Sequence, residues 1–232
     1  MKQFFTLGLA IMIAFAASAQ KNVTKFLGIP VDGTKAVMIQ KLKAKGYTYD
    51  AQHDCLEGEF NGRDVRIGII TNNNKVYRVF IMEKDPWDEG QVKLRFNNLC
   101  HQFEKNSNYL SPSIDPQVIA DNENLSYEMN VNKKQYSAMY YQISDTDEDT
   151  TGFTDYAMAR LNDMYTDSEL AQLNANLNDE QWQTLANHIF NDFIIEKIKH
   201  KCVWFSIKSF SGKYFIALFY DNRLNEANGE DL

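Results

Sequence analysis

Apolar positions recur at helical spacing across residues 34–45, where Met38, Ile39 and Leu42 fall on one stripe. Asp32-Gly33-Thr34 supplies a turn and an N-cap oxygen ahead of it, and Gly46 stands where a left-handed residue closes a helix. The period then drops to two. Residues 56–60 lead into Asn61-Gly62, a strong hairpin signal, and Val65, Ile67 and Ile69 alternate with Arg66 and Gly68. Asn72-Asn73-Asn74 turns the chain again into residues 75–82, where Tyr77, Val79 and Ile81 are placed on one face. One helix followed by a three-strand meander is the expectation.

Helical spacing returns over residues 88–105, with Val92, Phe96, Leu99, Cys100 and Phe103 on one side. Ser111-Pro112 and Asp115-Pro116 break it and mark a loop. Leu125, Tyr127, Met129 and Val131 alternate with polar residues, which predicts a strand. It turns at Asn132-Lys133-Lys134 and returns as a second strand through residues 136–143. Residues 144–155 hold four Asp and one Glu with no aliphatic side chain, a surface loop between two parts of the fold. Residues 153–176 read as helix in pieces, with Thr166 or Asp167 as a cap. Asn178 caps the longest helix, residues 179–199, with Gln181 in capping-box position. Its stripe of Trp182, Leu185, Ala186, Ile189, Phe193 and Ile194 is wide enough to cover a sheet. A last hairpin, residues 202–208 and 214–220, turns at Ser211-Gly212. Its final strand is apolar on both faces and therefore belongs at the centre of a sheet. Residues 222–232 read as a polar, frayed tail.

Helix followed by antiparallel strands occurs three times without a residue-level repeat. That pattern predicts an α+β fold, an antiparallel sheet of hairpins and a meander with helices on one face, in two similar α/β halves or a single body. The segments are residues 1–19 as a signal peptide, 20–143 as a first α/β unit, 144–156 as the acidic loop and 157–232 as a second helical and hairpin unit of the same compact fold. The first segment carries Lys2, an uncharged apolar run over residues 4–17 and the small-x-small site Ala17-Ser18-Ala19. Cleavage after Ala19 leaves Gln20 at the start of an exported chain, periplasmic or secreted, with formal charge moving from −7 to −8 on loss of Lys2. No later segment has transmembrane length without charges.

Composition narrows the chemistry. The chain of 232 residues is 44% hydrophobic and 24% charged, enough for a core, and its net charge of −7 argues against wrapping nucleic acid. Three cysteines in an exported protein, Cys55, Cys100 and Cys202, are either small buried hydrophobes or one disulfide with a spare thiol. His53, His101 and His200 lie next to them in sequence, and His200 with Cys202 has the two-residue spacing that puts both on one strand face. No Cys-x-x-Cys or His-x-x-x-His pair supports a metal site, and His188 falls on a polar helix face. Asp145-x-Asp147-x-Asp149 suggests a calcium loop, but Thr150 and Tyr156 occupy the positions where a Gly and a Glu are required. Gly212-Lys213 leads into Tyr214 and lacks the upstream Gly of a phosphate loop. Nucleophile-elbow, zincin and dinucleotide motifs are missing too. Trp87, Trp204 and Tyr140 are candidates for stacking on a sugar or peptide, with core packing the competing role.

The stretch Phe26-Leu27-Gly28-Ile29-Pro30-Val31-Asp32-Gly33-Thr34, running into Leu42 and Lys45-Gly46-Tyr47, resembles the opening of uncharacterised exported proteins of Bacteroidetes. The closing Asn225-Glu226-Ala227-Asn228-Gly229-Glu230-Asp231-Leu232 is similar to their tails. More distantly, Gly-Thr, helix, Lys-Gly-Tyr and a meander resemble the α/β unit of β-lactamase inhibitor proteins and of outer-membrane assembly lipoproteins of the SmpA/OmlA type. The lipid-acceptor Cys of those lipoproteins has no counterpart at the cleavage point here.

The expectation for function is an exported binding or assembly module without catalysis, with an exported hydrolase whose site forms no sequence motif as the alternative. No catalytic, metal or cofactor residues are assigned, and no binding residues are fixed. The partner class is a protein, peptide or glycan of the cell envelope.

Overall fold

A computed structural model describes residues 22–113, 115–144, 150–176 and 178–227. Residues 1–19, read from the sequence as a signal peptide, and Asp145, Asp147 and Asp149 lie outside the described residues. The chain forms β1 (Lys25–Phe26), β2 (Ile29–Pro30), α1 (Lys35–Ala44), β3 (Thr48–Asp50), β4 (Cys55–Phe60), β5 (Arg63–Asn72) and β6 (Lys75–Glu83). Next come α2 (Glu89–Lys105), β7 (Tyr109–Leu110), α3 (Leu125–Asn130), β8 (Ser137–Gln142), α4 (Phe153–Met164) and α5 (Asp167–Asn176). The chain then continues through α6 (Asp179–Ile198), β9 (Lys201–Phe210), β10 (Lys213–Asn222) and a short 3₁₀ turn, Arg223–Asn225.

The class is α+β. Eight strands form one antiparallel sheet in the order β3-β4-β5-β6-β10-β9-β8-β7, and β1 and β2 form a separate small hairpin. The last strand is central, as its two apolar faces require: β10 pairs with β6 on one side and β9 on the other. Strands from the early and late parts of the chain therefore share one sheet.

Local chemistry builds the elements. Thr34 accepts from the Val37 amide to start α1, while Asp88 and Gln91 form a capping box on α2 and Asn178 and Gln181 another on α6. Asn61-Gly62, Asn73-Asn74 and Ser211-Gly212 all have positive φ and close two-residue hairpins, the geometry whose twist matches the flanking strands. Gly58 is required for a different reason: a Cβ there would lie 2.7 Å from the Tyr47 ring.

Alternation sorts the sheet into two faces. Val65, Ile67, Val79, Ile81, Val203, Phe205, Ile216 and Leu218 meet Met38 and Leu42 of α1 and Val92, Phe96 and Leu99 of α2 in the main core. Phe205 sits at its centre, with Phe96 edge-on at 5.0 Å and Phe103 stacked at 5.7 Å. Among the described residues, helices cover the reverse face at the β7–β9 end, where Phe193, Ile194 and Ile198 of α6 pack on Tyr141 and Cys202, with Met139 and Trp204 against the same cluster. Residues 143–200, carrying α4, α5 and α6, are thus a helical insertion between two adjacent strands, β8 and β9.

Three local expectations are corrected. Residues 125–130, predicted as a strand from their alternation, are helical. Asn124 caps them and Glu89 accepts both the Leu125 amide and the Ser126 hydroxyl, so a tertiary carboxylate decides between two periods. Residues 153–156, placed in the acidic loop from the sequence, are helical, because α4 begins at Phe153 behind a left-handed Gly152. The start of the tail is tied down rather than frayed. Asn222 donates to the Val31 carbonyl, and Asn225 donates to Asp32 and to the Val76 carbonyl.

Candidate functional site

The candidate site is the part of the reverse face that α6 leaves uncovered among the described residues. Strand register lines its side chains into rows. Met139, Trp204, Phe219, Phe80 and Gly68 oppose one another from β8 to β5, and a parallel row runs Ser206, Ala217, Met82, Arg66. Beyond the second row stand Lys208 and Phe215, and at the hairpin tip Phe210 is 74% exposed. The buried Ser206 and Ala217 floor a trough between the row of Trp204, Phe219 and Phe80 and that of Lys208 and Phe215.

The rings stand on edge. Trp204 and Phe219 stack face to face at 3.9 Å with 12° between planes, and Phe80 continues the stack at 5.3 Å. Gly68 lets Phe80 lean across β5, since a Cβ there would approach its ring to 3.3 Å. Ring faces are used up within the stack, and ring edges, the electropositive part of the quadrupole, point outward. Such a surface suits an apolar protein contact better than a sugar ring, which needs a free aromatic face.

Asp221 anchors this stack. Its side chain is 4% exposed, takes a two-pronged contact from Arg78 at 2.6 and 2.7 Å, and accepts the Trp204 indole N–H at 2.8 Å. The carboxylate holds the Arg78 guanidinium charged, raising its pKa. Arg78 in turn lies 5.3 Å from the Phe219 centroid.

The three stacking candidates from the sequence are all engaged inside the protein. Trp87 donates to the buried Glu83 and has Arg63 over its ring at 4.0 Å, while Glu83 also holds Arg95 at 2.8 Å. Tyr140 is fully buried and stacks on Phe103 at 4.7 Å. Trp204 is half-buried at the border of the open face, packed against the α6 cluster and stacked on Phe219. Phe80, Phe210, Phe215, Phe219, Arg78 and Asp221 are the residues that sequence reasoning missed. Their signal was the second apolar face of β10, which was attributed to burial.

All three cysteines are free and buried. Their histidine neighbours make other contacts: His53 meets Asp50 at 2.6 Å, His101 meets Glu104 at 3.3 Å and His200 meets the Asn22 carbonyl at 2.7 Å. Cys202 instead accepts from Arg223 at 3.5 Å. Among the described residues no three His, Cys, Asp or Glu side chains converge as metal ligands. Burial pushes the Cys100 and Cys202 thiols up to about 11, and Cys55 upward as well. The native protein at pH 8 therefore reacts with a thiol reagent far more slowly than the denatured chain, measured by thiol titration with and without denaturant. The linkage follows in sign: above pH about 9 the unfolded thiols ionise and the buried ones do not, so stability falls as pH rises from 9 toward 11.

Ser206 Oγ, under the trough, is buried without a hydrogen-bond partner. Ser206→Ala therefore leaves stability unchanged or raises it by about 1 kcal/mol in urea unfolding, because the folded state no longer buries an unsatisfied hydroxyl.

Two further concavities flank the sheet. A cleft of about 450 Å³ runs between the N-terminal segment and Tyr109, Gln142 and Tyr220, with the buried Lys201 donating to Asn22 and Ser144. A groove of about 680 Å³ lies between α4 and α6. Among the described residues no helix is long and apolar enough to cross a membrane. Comparison with family models, curated proteins and solved structures returns no match to this chain.

Proposed function

We propose that this chain is an exported binding or assembly module of the cell envelope, without catalysis, that recognises a protein partner through the open aromatic face of its sheet. The observation carrying this reading is the half-covered reverse face: a register-aligned row of ring edges and, at the β9–β10 hairpin tip of the same face, a phenylalanine, Phe210, that is 74% exposed. Exposed apolar surface in contiguous rows costs solubility and is kept where a partner covers it. The export signal read in residues 1–19, and the likeness to exported proteins and assembly modules, support the same direction.

The test uses the exported form of the chain as bait in periplasmic and outer-membrane extracts, beside a double variant, Phe210→Ser with Ile70→Asp. Both positions are exposed on this face, so the variant keeps the wild-type melting temperature. The reading expects a partner retained by wild type and lost by the variant. A partner held equally by both contradicts it. So does turnover of esterase, peptidase, glycosidase or phosphatase substrates that follows the pure protein and vanishes on changing one cleft residue.

A further inference from the structure

The acidity of this protein is concentrated in one place. Residues 144–200 contain twelve carboxylates against three cations, formal −9, whereas the remainder contains nineteen carboxylates and twenty-one cations, formal +2. This is the helical insertion between β8 and β9, and it is less completely packed than the sheet. Its aromatic contacts, Phe153 with Phe190 at 5.2 Å and Tyr156 with Phe193 at 5.3 Å, join α4 to α6, yet α4 contains no buried residue and leaves Met158 and Met164 exposed.

Between α4 and α6 the groove has an apolar floor and an acidic rim. Tyr156, Ala159 and Ile195 form the floor, and Asp163, Asp192 and Glu196 rise on its two sides. Positions 156, 159, 160 and 163 form one stripe of α4, and 192, 195 and 196 one stripe of α6, so the groove runs along both helices. The cations now meeting the rim are held loosely. Arg160 lies 3.5 Å from Asp163 and 3.6 Å from Asp192, His188 is 3.9 Å from Asp192, and Lys199 reaches Glu196 from its own helix. Asp163 and Glu196 are 78% and 54% exposed and their pairs contribute little, so an incoming cation can replace those pairs at small cost, while Arg160 lines the groove beside the less exposed Asp192.

We propose that the α4–α6 groove receives a cationic amphipathic helical segment of a partner protein. The apolar stripe of such a segment covers Tyr156, Ala159 and Ile195, and its Lys or Arg side chains meet Asp163, Asp192 and Glu196. A groove between two helices is the shape that a third helix fills, with ridges laid into grooves. Charge selects the occupant, because an insertion of formal −9 attracts a basic segment and repels an acidic one. This surface is separate from the aromatic sheet face, so either assignment stands or falls without the other.

The experiment titrates the full exported chain with a fluorescent Leu/Lys amphipathic helical peptide and follows anisotropy. Binding is expected, weakening as salt rises, and a Leu/Glu peptide of the same pattern is expected not to bind. The triple variant Asp163→Asn, Asp192→Asn, Glu196→Gln should lose at least about tenfold in affinity, equivalent to about 1.4 kcal/mol. A control that removes the same charge elsewhere, Glu104→Gln, Asp115→Asn, Asp121→Asn, should retain the wild-type value. Ala159→Trp, which fills the groove at an exposed position without changing charge, should weaken binding by a similar factor. Equal loss in the rim and control variants, or unchanged binding in Ala159→Trp, overturns the proposal in favour of diffuse charge attraction. Equal binding of the Leu/Glu peptide overturns it as well.

Discussion

Phe205→Ala lowers the free energy of unfolding by about 3–5 kcal/mol, the range for losing a fully buried aromatic ring. Phe205 lies on β9, between β10 and β8, and its ring is enclosed by Phe96, Phe103 and Tyr140. Those three are held by α2 and β8, which are themselves anchored to the sheet, so the site cannot collapse around the lost ring. The cost therefore includes the cavity as well as the transfer of the ring to water. Urea unfolding measures it as a lower midpoint at unchanged slope. Phe205→Leu, which keeps most of the volume, should cost less than half as much. A loss below about 1 kcal/mol for the alanine variant would show that this aromatic cluster is not the centre of the core.

Asp221→Ala is expected to cost about 3 kcal/mol or more, although it removes only a small side chain from the opposite face. The carboxylate is nearly inaccessible and serves two donors, the Arg78 guanidinium and the Trp204 indole N–H. Its removal leaves a partly buried cation and a partly buried N–H without an acceptor, and unpaired buried charge is costly. Asp221→Asn keeps the acceptor oxygen for one donor and should lie between wild type and alanine. Removing an exposed pair such as Lys35 with Asp54 gives the reference, about 1 kcal/mol or less. If Asp221→Ala costs no more than that reference, the Arg78–Asp221–Trp204 arrangement is not a structural anchor. The same variant should also disturb the Trp204–Phe219 stack, read as a change in tryptophan fluorescence, and weaken capture of the sheet-face partner.

These two residues separate what holds the protein together from what it presents. Phe205 and Trp204 are adjacent on one strand, and alternation sends one ring into the main core and the other to the reverse face, where it packs at the edge of the α6 cluster. Asp221 fixes the second without making it part of the first. The buried Arg78–Asp221 pair fixes the Trp204 ring, and a surface ordered in advance loses less entropy on meeting the partner proposed for it.

The helices and hairpins were legible wherever a local signal coincided with a periodic one. The capping box at Asn178, the Asn61-Gly62 and Ser211-Gly212 turns and the apolar stripe of α2 depend on interactions within a few residues, and each appears in the structure. The central position of β10 was legible for a related reason, since apolar residues on both faces imply neighbours on both sides. Residues 125–130 were misread because six residues can satisfy either period, and the choice falls to Glu89, thirty-six positions away. The Asn222 and Asn225 contacts were invisible for the same reason: a polar tail becomes structure only when Val31, Asp32 and Val76 are there to receive its amides.

The candidate site was almost wholly a tertiary decision. Composition showed that aromatic residues were abundant, but not that Trp87 and Tyr140 would be consumed by packing while Phe80, Phe219 and Trp204 aligned. That alignment needs the β6–β10–β9 register, and register between β6 and β10 is set by a chain closure of well over a hundred residues. The sequence by itself determined the elements, their caps, the α+β class and the concentration of negative charge in one segment, because those depend on nearest neighbours and counts. Only the tertiary structure decided which face of the sheet the helices cover, which rings show an edge, and where the acidic helices form a groove, because each of these depends on surfaces brought together from distant parts of the chain.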